Sequence, residues 1–204
     1  MAKSSKRWLQ AQQRDPYVKQ ARQSDYRSRA VYKLEEIDQR YRLFRTGQVV
    51  VDLGAAPGSW SQYASRHKGA EGSIVAVDIL PMEPIDGVEF IQGDFTETDV
   101  FEKCLESLHG ARVDLVISDM APNLTGIKST DQARSMYLVE LVLDFARQVL
   151  KPGGTMLVKL FQGEGTDTFR KELSKEFQKV TACKPKASRD NSREFYVLAQ
   201  VYKV

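Results

Sequence analysis

From Gly47 onward, short runs rich in β-branched residues alternate with longer segments of helical periodicity. Strands are predicted at 48–53, 72–78, 87–94, 113–119 and 155–161, with weaker strand signals at 179–185 and 194–202. Helices are predicted at 28–40, 59–67, 98–108, 131–150 and 166–177. This alternation is typical of an α/β fold with a mostly parallel sheet and helices on both of its faces.

The length of the chain and its lack of long apolar runs limit the class of protein. The chain has 204 residues, which fits one domain at roughly 100–200 residues per domain. We expect residues 28–204 to form this domain and residues 1–27 to form a basic, partly flexible extension. No apolar run approaches the roughly 18 residues of a membrane-spanning helix, so no membrane partner is expected.

The cysteines and the N-terminal segment bear on the compartment. Cys104 and Cys183 show neither a CxxC pattern nor zinc-ligand spacing, and the chain has only two histidines, so no metal is expected. The N-terminal segment is basic but has no apolar stretch, which argues against secretion. We therefore predict a cytoplasmic protein with reduced cysteines. A monomer is the default expectation, because no coiled-coil pattern is evident.

Positive charge is concentrated at the start of the chain. Residues 1–46 contain 12 Lys and Arg against 5 Asp and Glu, and residues 47–204 contain 18 against 22, which together give the net charge of +3. A cationic segment of this kind suits a phosphate backbone, because lysine and arginine release condensed counterions on binding it. Tyrosines that could stack on unpaired bases are interleaved with these cations, at Tyr17, Tyr26, Tyr32 and Tyr41. A solvated basic tail is the alternative interpretation.

A second basic cluster lies near the other end of the chain. Its members are Lys184, Lys186, Arg189 and Arg193, within the turn-rich sequence KPKASRDNSR. Taken alone, this cluster indicates an exposed loop. Our hypothesis is that the two basic segments converge on one face of the fold.

Charged residues recur where the predicted strands end. Asp52, Asp78, Asp94 and Asp119 close four of these strands, and Lys159 lies near the end of the fifth. In open α/β sheets, ligands bind outside the carboxyl ends of the strands, where the strand order reverses. One such aspartate would more often be a helix cap, but four in succession favour a ligand site.

The turn DLGAAPG at 52–58 follows the first strand and predicts a nucleoside ligand without phosphate. Gly54 and Gly58 permit a tight turn and close approach of the backbone, so both are candidate cofactor contacts. Their spacing differs from the GxGxxG fingerprint of dinucleotide-binding proteins, and no lysine follows as in a Walker A phosphate-binding loop. Pro57 also lacks the backbone N–H that would help to bind a pyrophosphate. S-adenosylmethionine fits better. Asp78 lies where an acidic residue accepts hydrogen bonds from ribose hydroxyls in Rossmann-type folds.

Several strings together resemble one family. They are SRAVYKL (28–34), DLGAAPGSWSQY (52–63), SDMAPN (118–123), VKLFQG (158–163) and SREFYVLA (192–199). In this order they resemble the FtsJ-type RNA 2'-O-ribose methyltransferases, and among them the type that acts on a uridine of large-subunit ribosomal RNA. The resemblance runs from about Arg7 to the C-terminus. It implies a Rossmann-like methyltransferase fold, S-adenosylmethionine as cofactor, and ribosomal RNA or the large ribosomal subunit as partner. With such a partner, we expect the basic extension of residues 1–27 to bind RNA.

The resemblance also implies site residues. The family's catalytic Lys-Asp-Lys-Glu set corresponds to Lys33, Asp119, Lys159 and Glu194 in this chain. Its cofactor residues correspond to Gly58, Trp60, Asp78, Asp94 and Asp119, with Asp94 near the adenine amino group and Trp60 lining the pocket. From the residues alone, Lys33 would be a solvated charge, and Trp60 would equally suit the core.

The chemistry of methyl transfer explains why lysines would be needed. The ribose hydroxyl must lie in line with the sulfonium methyl and lose its proton. Lys159 could take this proton if burial and the neighbouring charge of Lys33 lower its pKa, or it could stay charged and steer the hydroxyl. Asp119 would orient the Lys159 ammonium, and Glu194 would hold Lys33 or the incoming ribose.

Other functions remain open on the sequence. A nicotinamide dehydrogenase would share the fold, but GxGxxG and a positioned histidine are lacking. A methyltransferase acting on base amino groups would carry an Asn/Asp-Pro-Pro-aromatic signature, where this chain has Asp119-Met120-Ala121-Pro122. Methylation of transfer RNA or of an RNA cap is a closer alternative. A non-catalytic RNA-binding assembly factor is a further one.

Overall fold

The structure is a computed structural model that describes residues 15–189 and 192–203. The helices in this part are α1 (Pro16–Gln23), α2 (Val31–Tyr41), α3 (Ser59–His67), α4 (Thr98–Ser107), α5 (Lys128–Val149) and α6 (Thr166–Glu176). The strands are β1 (Val49–Leu53), β2 (Ser73–Asp78), β3 (Val88–Gln92), β4 (Val113–Ser118), β5 (Leu150–Phe161), β6 (Phe177–Cys183) and β7 (Glu194–Tyr202). Every strand and helix expected from periodicity is present.

The strands form one sheet in the order β3-β2-β1-β4-β5-β7-β6. Strands β1 to β5 run parallel, and β7 runs antiparallel between β5 and β6. The chain order reverses between β1 and β4, which are neighbours in the sheet. Side chains at the carboxyl ends of β1 and β4 therefore meet where such sheets bind ligands.

The two faces of the sheet bury separate apolar clusters, because successive strand residues point to opposite faces. Val51, Val116 and Val158 pack beneath α4, α5 and α6. Their strand neighbours Ile117 and Leu157 pack beneath α1, α2 and α3 on the other face. The predicted α/β fold, a mostly parallel sheet with helices on both faces, is confirmed.

Several boundaries differ from the sequence expectation by a few residues; helix α2, for example, was expected from residue 28 and begins at Val31. Helix α5 was expected to begin at Asp131 and begins at Lys128, because the Asp131 carboxylate caps the preceding turn by accepting hydrogen bonds from the backbone of Thr125 and Gly126. Strand β5 was expected to begin at residue 155. It begins at Leu150, opposite Val113, and the pairing with β4 shifts register before Leu115.

The described part of the N-terminal extension packs on the domain. Helix α1 begins with an aspartate cap, since the Asp15 carboxylate accepts a hydrogen bond from Tyr17 N at 2.9 Å. Ala21 is buried in the cluster beneath α2 and α3. The predicted RNA-binding role of residues 1–27 stays a prediction, and residues 1–14 lie outside the described residues.

Candidate active site

A cavity of about 550 Å³ lies at the carboxyl ends of β1, β2 and β4. Three of the four aspartates predicted at strand ends, Asp78, Asp94 and Asp119, line this cavity together with Gly54. Apolar side chains complete its walls, including those of Ile79, Leu80, Met120 and Tyr137. The cavity therefore presents carboxylates for polar or cationic groups and apolar surface for a flat ring.

Asp78 joins the two loops that form one side of this cavity. Its Oδ2 accepts a hydrogen bond from Ala56 N at 2.8 Å, and its Oδ1 accepts one from Leu80 N at 2.8 Å. The turn after β1 and the loop after β2 are thereby held to the same carboxylate. Asp94 is fixed more locally, because its Oδ1 accepts hydrogen bonds from the backbone N and hydroxyl of Thr96.

The two candidate glycines have different surroundings. Gly54 lines the cavity with φ of +80°, and a Cβ there would lie 2.6 Å from Met120 Cγ. Gly58 is buried just outside the lining, with φ of +105°, and a Cβ there would lie 2.8 Å from Arg27 Nη1. Trp60 does not line the cavity. Its ring lies in the apolar cluster beneath α2, and its Nε1 donates a hydrogen bond to Ala30 O at 2.8 Å.

Lys159 and Asp119 are in direct contact. The Lys159 ammonium lies 3.0 Å from Asp119 Oδ1 and also donates a hydrogen bond to the backbone oxygen of Asp119. The Tyr196 hydroxyl donates a hydrogen bond to the same Oδ1 at 2.6 Å. Burial, together with the adjacent Asp119 carboxylate, raises the pKa of Tyr196 well above its usual range, so this hydroxyl keeps its proton. Asp119 is thus held by two donors while also facing the cavity.

Lys33 and Glu194 form a second ion pair beside the first. Lys33 Nζ lies 2.6 Å from Glu194 Oε1 and 5.9 Å from the centre of the Tyr196 ring. Strand β7 brings the two pairs together, because Glu194 and Tyr196 are two residues apart and so share a face of that strand. Tyr196 is also the direct partner of Lys159 across the β5–β7 ladder. The structure therefore brings together all four residues that the resemblance implied as catalytic.

A basic groove of about 480 Å³ opens at the Lys33–Glu194 pair. It is lined by Arg29 and Arg189, from the two basic segments at opposite ends of the sequence. The Arg29 guanidinium donates a hydrogen bond to Ala187 O and joins the segments directly. The predicted convergence of the two segments is present in the described residues.

The tyrosines near the N-terminus mostly pack against one another rather than forming an open row. The Tyr17 and Tyr32 ring centres are 5.6 Å apart, and Tyr26 lies edge-on to Tyr32 at 6.4 Å. Arg66 covers Tyr26, with its guanidinium carbon 4.3 Å from the ring centre. Tyr32 is buried. These rings therefore serve the packing of α1 and α2 on the domain.

Asp52, the fourth strand-end aspartate, is buried below the cavity. Its Oδ2 accepts a hydrogen bond from Ser61 Oγ at 2.6 Å, and its Oδ1 has no partner among the described residues. Burial raises the pKa of Asp52 from 3.8 to about 7, and the nearby carboxylates of Asp119 and Asp78 add to this effect. At neutral pH this carboxyl group is therefore close to half protonated in the folded protein.

The raised pKa of Asp52 predicts a pH-dependent stability. Between pH 3.8 and about 7 the folded state holds a proton that the unfolded state has lost, so the free energy of unfolding falls as pH rises, by at most about 1.4 kcal/mol per unit. Asp52→Asn should remove this dependence on pH, because an amide oxygen still accepts the hydrogen bond from Ser61 and carries no charge. In urea unfolding of the ligand-free proteins, the free energy of unfolding of the variant should rise relative to that of the wild type from pH 4.5 to pH 7.5. A difference between the two proteins that stays constant with pH would contradict the assignment.

Sequence reasoning assigned no role to Tyr196, although a signal for it was present. Glu194 had been singled out, and a residue two positions away on a strand points to the same face. Arg27 was considered only as one of the cations near the N-terminus, and the structure places its guanidinium beside Gly58.

Two further features concern only the described part of the chain. Across residues 15–189 and 192–203, no helix combines the length and apolar character needed to cross a membrane. Within those same ranges, no group of three or more His, Cys, Asp or Glu side chains is arranged to hold a metal ion.

Comparison with known proteins gives a consistent result. The model of the FtsJ-like methyltransferase family matches residues 26–202. Proteins named Ribosomal RNA large subunit methyltransferase E are similar along the whole chain. The one from Marinobacter nauticus is 56% identical over 203 residues, covering 100% of this chain and 98% of the relative. The one from an Azoarcus species is 58% identical over 196 residues, covering 96% of each.

A solved structure agrees with these relatives. The crystal structure of a protein from Plasmodium falciparum, described as a ribosomal RNA methyltransferase, superposes with a TM-score of 0.77 at 33% identity. The superposition covers 87% of this chain and 98% of that protein. The likeness thus extends from sequence to the arrangement of the sheet.

Proposed function

Because this chain belongs to the FtsJ-like methyltransferase family, we propose that it transfers a methyl group from S-adenosylmethionine to a ribose 2'-hydroxyl in large-subunit ribosomal RNA, on a uridine. The observation that carries the proposal is the contact between Lys159 and Asp119 at 3.0 Å. Asp119 lines the acidic cavity, and Tyr196, which donates a hydrogen bond to Asp119, lies beside Lys33 of the basic groove. Relatives at 52–58% identity that are named for large-subunit ribosomal RNA support this substrate over transfer RNA or a cap.

The charges of the two neighbouring spaces support the proposed pair of substrates. The cavity carries three aspartates, which suits a cofactor with a sulfonium, an ammonium and ribose hydroxyls. Among its described residues, the groove carries Arg29, Lys33 and Arg189 against the single carboxylate of Glu194, and this excess of positive charge suits a phosphate backbone. Within the structure Arg29 is also paired with Asp15. Each substrate therefore meets the opposite charge before any reaction takes place.

The residues lining the cavity fit S-adenosylmethionine. When bound, this cofactor supplies an electrophilic methyl group on a positively charged sulfur. Asp78 would accept hydrogen bonds from its ribose, Asp94 would meet the adenine amino group, and Asp119 would face its charged end. Gly54 lets the backbone approach closely, because a Cβ at this position would fill the space beside Met120.

Lys159 and its partners would act on the incoming hydroxyl. The Lys159 ammonium is only 8% exposed and is held by Asp119 from both its backbone and side-chain oxygens. Tyr196 donates to the same carboxylate and so limits the positions that Asp119 can take. The Lys33–Glu194 pair, across the Tyr196 ring, would position the ribose. Orientation of this kind supplies much of the rate enhancement in a displacement that needs in-line geometry.

The experiment that tests this function is methyl labelling of ribosomal particles. Large subunits from cells lacking the modification, incubated with the protein and tritium-labelled S-adenosylmethionine, should gain label in one nucleoside that resists alkaline cleavage on its 3' side. Nuclease mapping then identifies that nucleoside. Free ribosomal RNA and transfer RNA serve as comparison substrates. Equal or greater labelling of transfer RNA would overturn the proposed substrate.

The basic residues at the N-terminus are expected to bind RNA without affecting the cofactor. Lys3, Lys6, Arg7 and Arg14 are cations in residues 1–14, which hold no acidic residue. Deleting residues 1–14 should weaken RNA binding and lower its salt slope by about 3 units, at roughly 0.7–0.9 per phosphate contact. The deletion stops before α1, because α1 packs on the domain.

A full-length variant with glutamine at these four positions is the matched control, since it removes charge but keeps the chain. RNA affinity at several salt concentrations and affinity for S-adenosylhomocysteine are measured for both. If the two affinities fall together, the segment supports the fold instead of binding RNA.

A further inference from the structure

The segment that carries Arg27 is fastened along helix α3. Arg27 N donates a hydrogen bond to Gln62 Oε1 at 2.9 Å, and the hydroxyls of Ser28 and Ser59 are 2.7 Å apart. Trp60 of the same helix holds Ala30, two residues after Ser28, by donating a hydrogen bond from Nε1 to its backbone oxygen. Helix α3 begins at the turn after β1, so this segment is attached to the element that supports one wall of the cavity.

The guanidinium of Arg27 joins two separate loops. Its Nη1 donates hydrogen bonds to Pro57 O at 3.1 Å and to Glu83 O at 2.6 Å, and its Nη2 donates one to Pro84 O at 2.9 Å. Pro57 belongs to the turn after β1, whereas Glu83 and Pro84 belong to the loop after β2. A planar fork of donors can span three carbonyls in this way, which a lysine ammonium on a flexible stem does less well.

Both of these loops line the cavity. Ala56 lies next to Pro57 and lines it, and Ile79 and Leu80 begin the second loop and line it too. Ile79 and Leu80, at the start of this loop, are 59% and 60% exposed. Further along the loop, Met82 and Ile85 pack over Gly58, and Ser65 Oγ donates a hydrogen bond to Asp86 O at 2.9 Å. The bonds from Arg27 hold the middle of the loop against the turn after β1, between the Asp78 carboxylate at its near end and Ser65 at its far end.

The atoms around Gly58 show that Arg27 and the loop after β2 pack closely against the turn after β1. A Cβ at Gly58 would lie 2.7 Å from Met82 Sδ, 2.8 Å from Arg27 Nη1 and 2.9 Å from Ile85 Cδ1. Three side chains from two segments therefore cover this buried glycine. The guanidinium lies behind the cavity, against Gly58, and it donates to carbonyl oxygens of the two loops; it does not line the basic groove.

We propose that Arg27 is a positioning residue for the cofactor: it clamps the loop after β2 against the turn after β1 and so orders two walls of the cavity before S-adenosylmethionine binds. Ordering a wall in advance removes an entropic cost that binding would otherwise carry. Arg27 lies in the basic N-terminal part of the sequence, yet by this proposal it serves the cofactor rather than RNA. The proposal rests on the function proposed above, since it takes S-adenosylmethionine as the ligand of the cavity.

The test compares Arg27→Gln, Arg27→Lys and the control Arg22→Gln, which removes one exposed cation from α1 in the same basic segment. Calorimetric affinity for S-adenosylmethionine, steady-state KM and kcat, and RNA affinity without cofactor are measured for each. Arg27→Gln should weaken cofactor binding about tenfold or more, as expected for lost charge-assisted hydrogen bonds, and raise the cofactor KM with kcat changed much less. Arg27→Lys should fall between that variant and the wild type. Arg22→Gln should leave the cofactor affinity unchanged.

The outcomes separate this proposal from the function on which it rests. Wild-type protein that fails to bind S-adenosylmethionine would overturn the proposed function. If the wild type binds but both Arg27 variants match it within twofold, and RNA affinity and its salt slope fall instead, Arg27 is a phosphate contact and the clamp is refuted. Thermal melting accompanies each measurement, and Arg27→Lys keeps the charge and most of the packing, so it reports on the clamp even if Arg27→Gln unfolds.

Discussion

Replacing Lys159 with alanine is expected to lower the rate of methyl transfer by about a hundredfold to ten-thousandfold, the range usual for loss of a group that handles a proton. The Lys159 side chain is nearly buried, and its ammonium lies 3.0 Å from Oδ1 of Asp119, which lines the candidate cavity. Its removal leaves the walls of the cavity and the cations of the groove in place. Affinities for S-adenosylmethionine and RNA should therefore stay within a few-fold of the wild type.

A matched control for this variant is Lys179→Ala. Lys179 is an exposed lysine on the edge strand β6, which β7 separates from β5, so its loss tests removal of a lysine away from the site. Single-turnover methylation of large ribosomal subunits is the measurement, because it isolates chemistry from product release. Full activity in Lys159→Ala would contradict the proposed site, whatever the binding data show.

Arginine at position 159 distinguishes two ways in which the lysine could work. An arginine keeps the positive charge but does not give up its proton at ordinary pH. If Lys159 steers the hydroxyl as a cation, Lys159→Arg should retain more activity than Lys159→Ala. If Lys159 takes the proton, the two variants should be equally inactive across the pH range.

A methyl group added at Gly54 is expected to disrupt both stability and cofactor binding. A Cβ at this position would lie 2.6 Å from Met120 Cγ, 2.9 Å from Met120 N and 3.0 Å from its Cα. Two of these atoms are backbone and cannot move away by a change of rotamer. Gly54→Ala should therefore push β1 and β4 apart at the point where Asp119 begins, and it should distort the cavity.

Gly153→Ala is a close control for this variant. Gly153 has φ of +79° against +80° for Gly54, and a Cβ there meets nothing within 4 Å. Both variants carry the cost of a left-handed alanine, about 1–2 kcal/mol, but only Gly54→Ala adds overpacking, typically a further 1–3 kcal/mol or so. Urea unfolding gives the stability difference, and calorimetry with S-adenosylhomocysteine gives the affinity. Equal losses in the two variants would show that the approach of Met120 imposes no constraint.

Local patterns were enough to predict the fold and one edge of the site. Runs of β-branched residues predict strands, and helical spacing of apolar residues predicts helices. Both patterns involve only residues that are close together in the sequence. Parallel strands carry their carboxyl ends to one edge of the sheet, so Asp78, Asp94 and Asp119 were expected to meet and do line one cavity. Asp52, with the same signal, is paired with Ala76 and Ile117, two positions deeper in the sheet than Asp78 and Asp119, and is buried instead.

The features that could not be predicted depend on contacts between residues that are far apart in the sequence. The insertion of β7 between β5 and β6 places Tyr196 opposite Lys159, and no periodicity encodes the order of strands in a sheet. The contacts of Arg27 reach carbonyls 30 to 57 residues away. Helix α1 is short and polar, and its position depends on tertiary contacts such as that of Ala21. Trp60 could not be assigned to a face until the packing of α2 on α3 was known.

The position of β7 has a consequence for synthesis on the ribosome. β6 pairs with β7 and not with β5, so β6 has no neighbour in the sheet until the last strand has left the exit tunnel. Strands β1 to β5, with the cavity proposed to hold the methyl donor, can assemble earlier. On the proposed function, the nascent protein should thus form this cavity before Glu194 and Tyr196 arrive beside Lys33 and Asp119, and it should stay inactive until β7 has emerged.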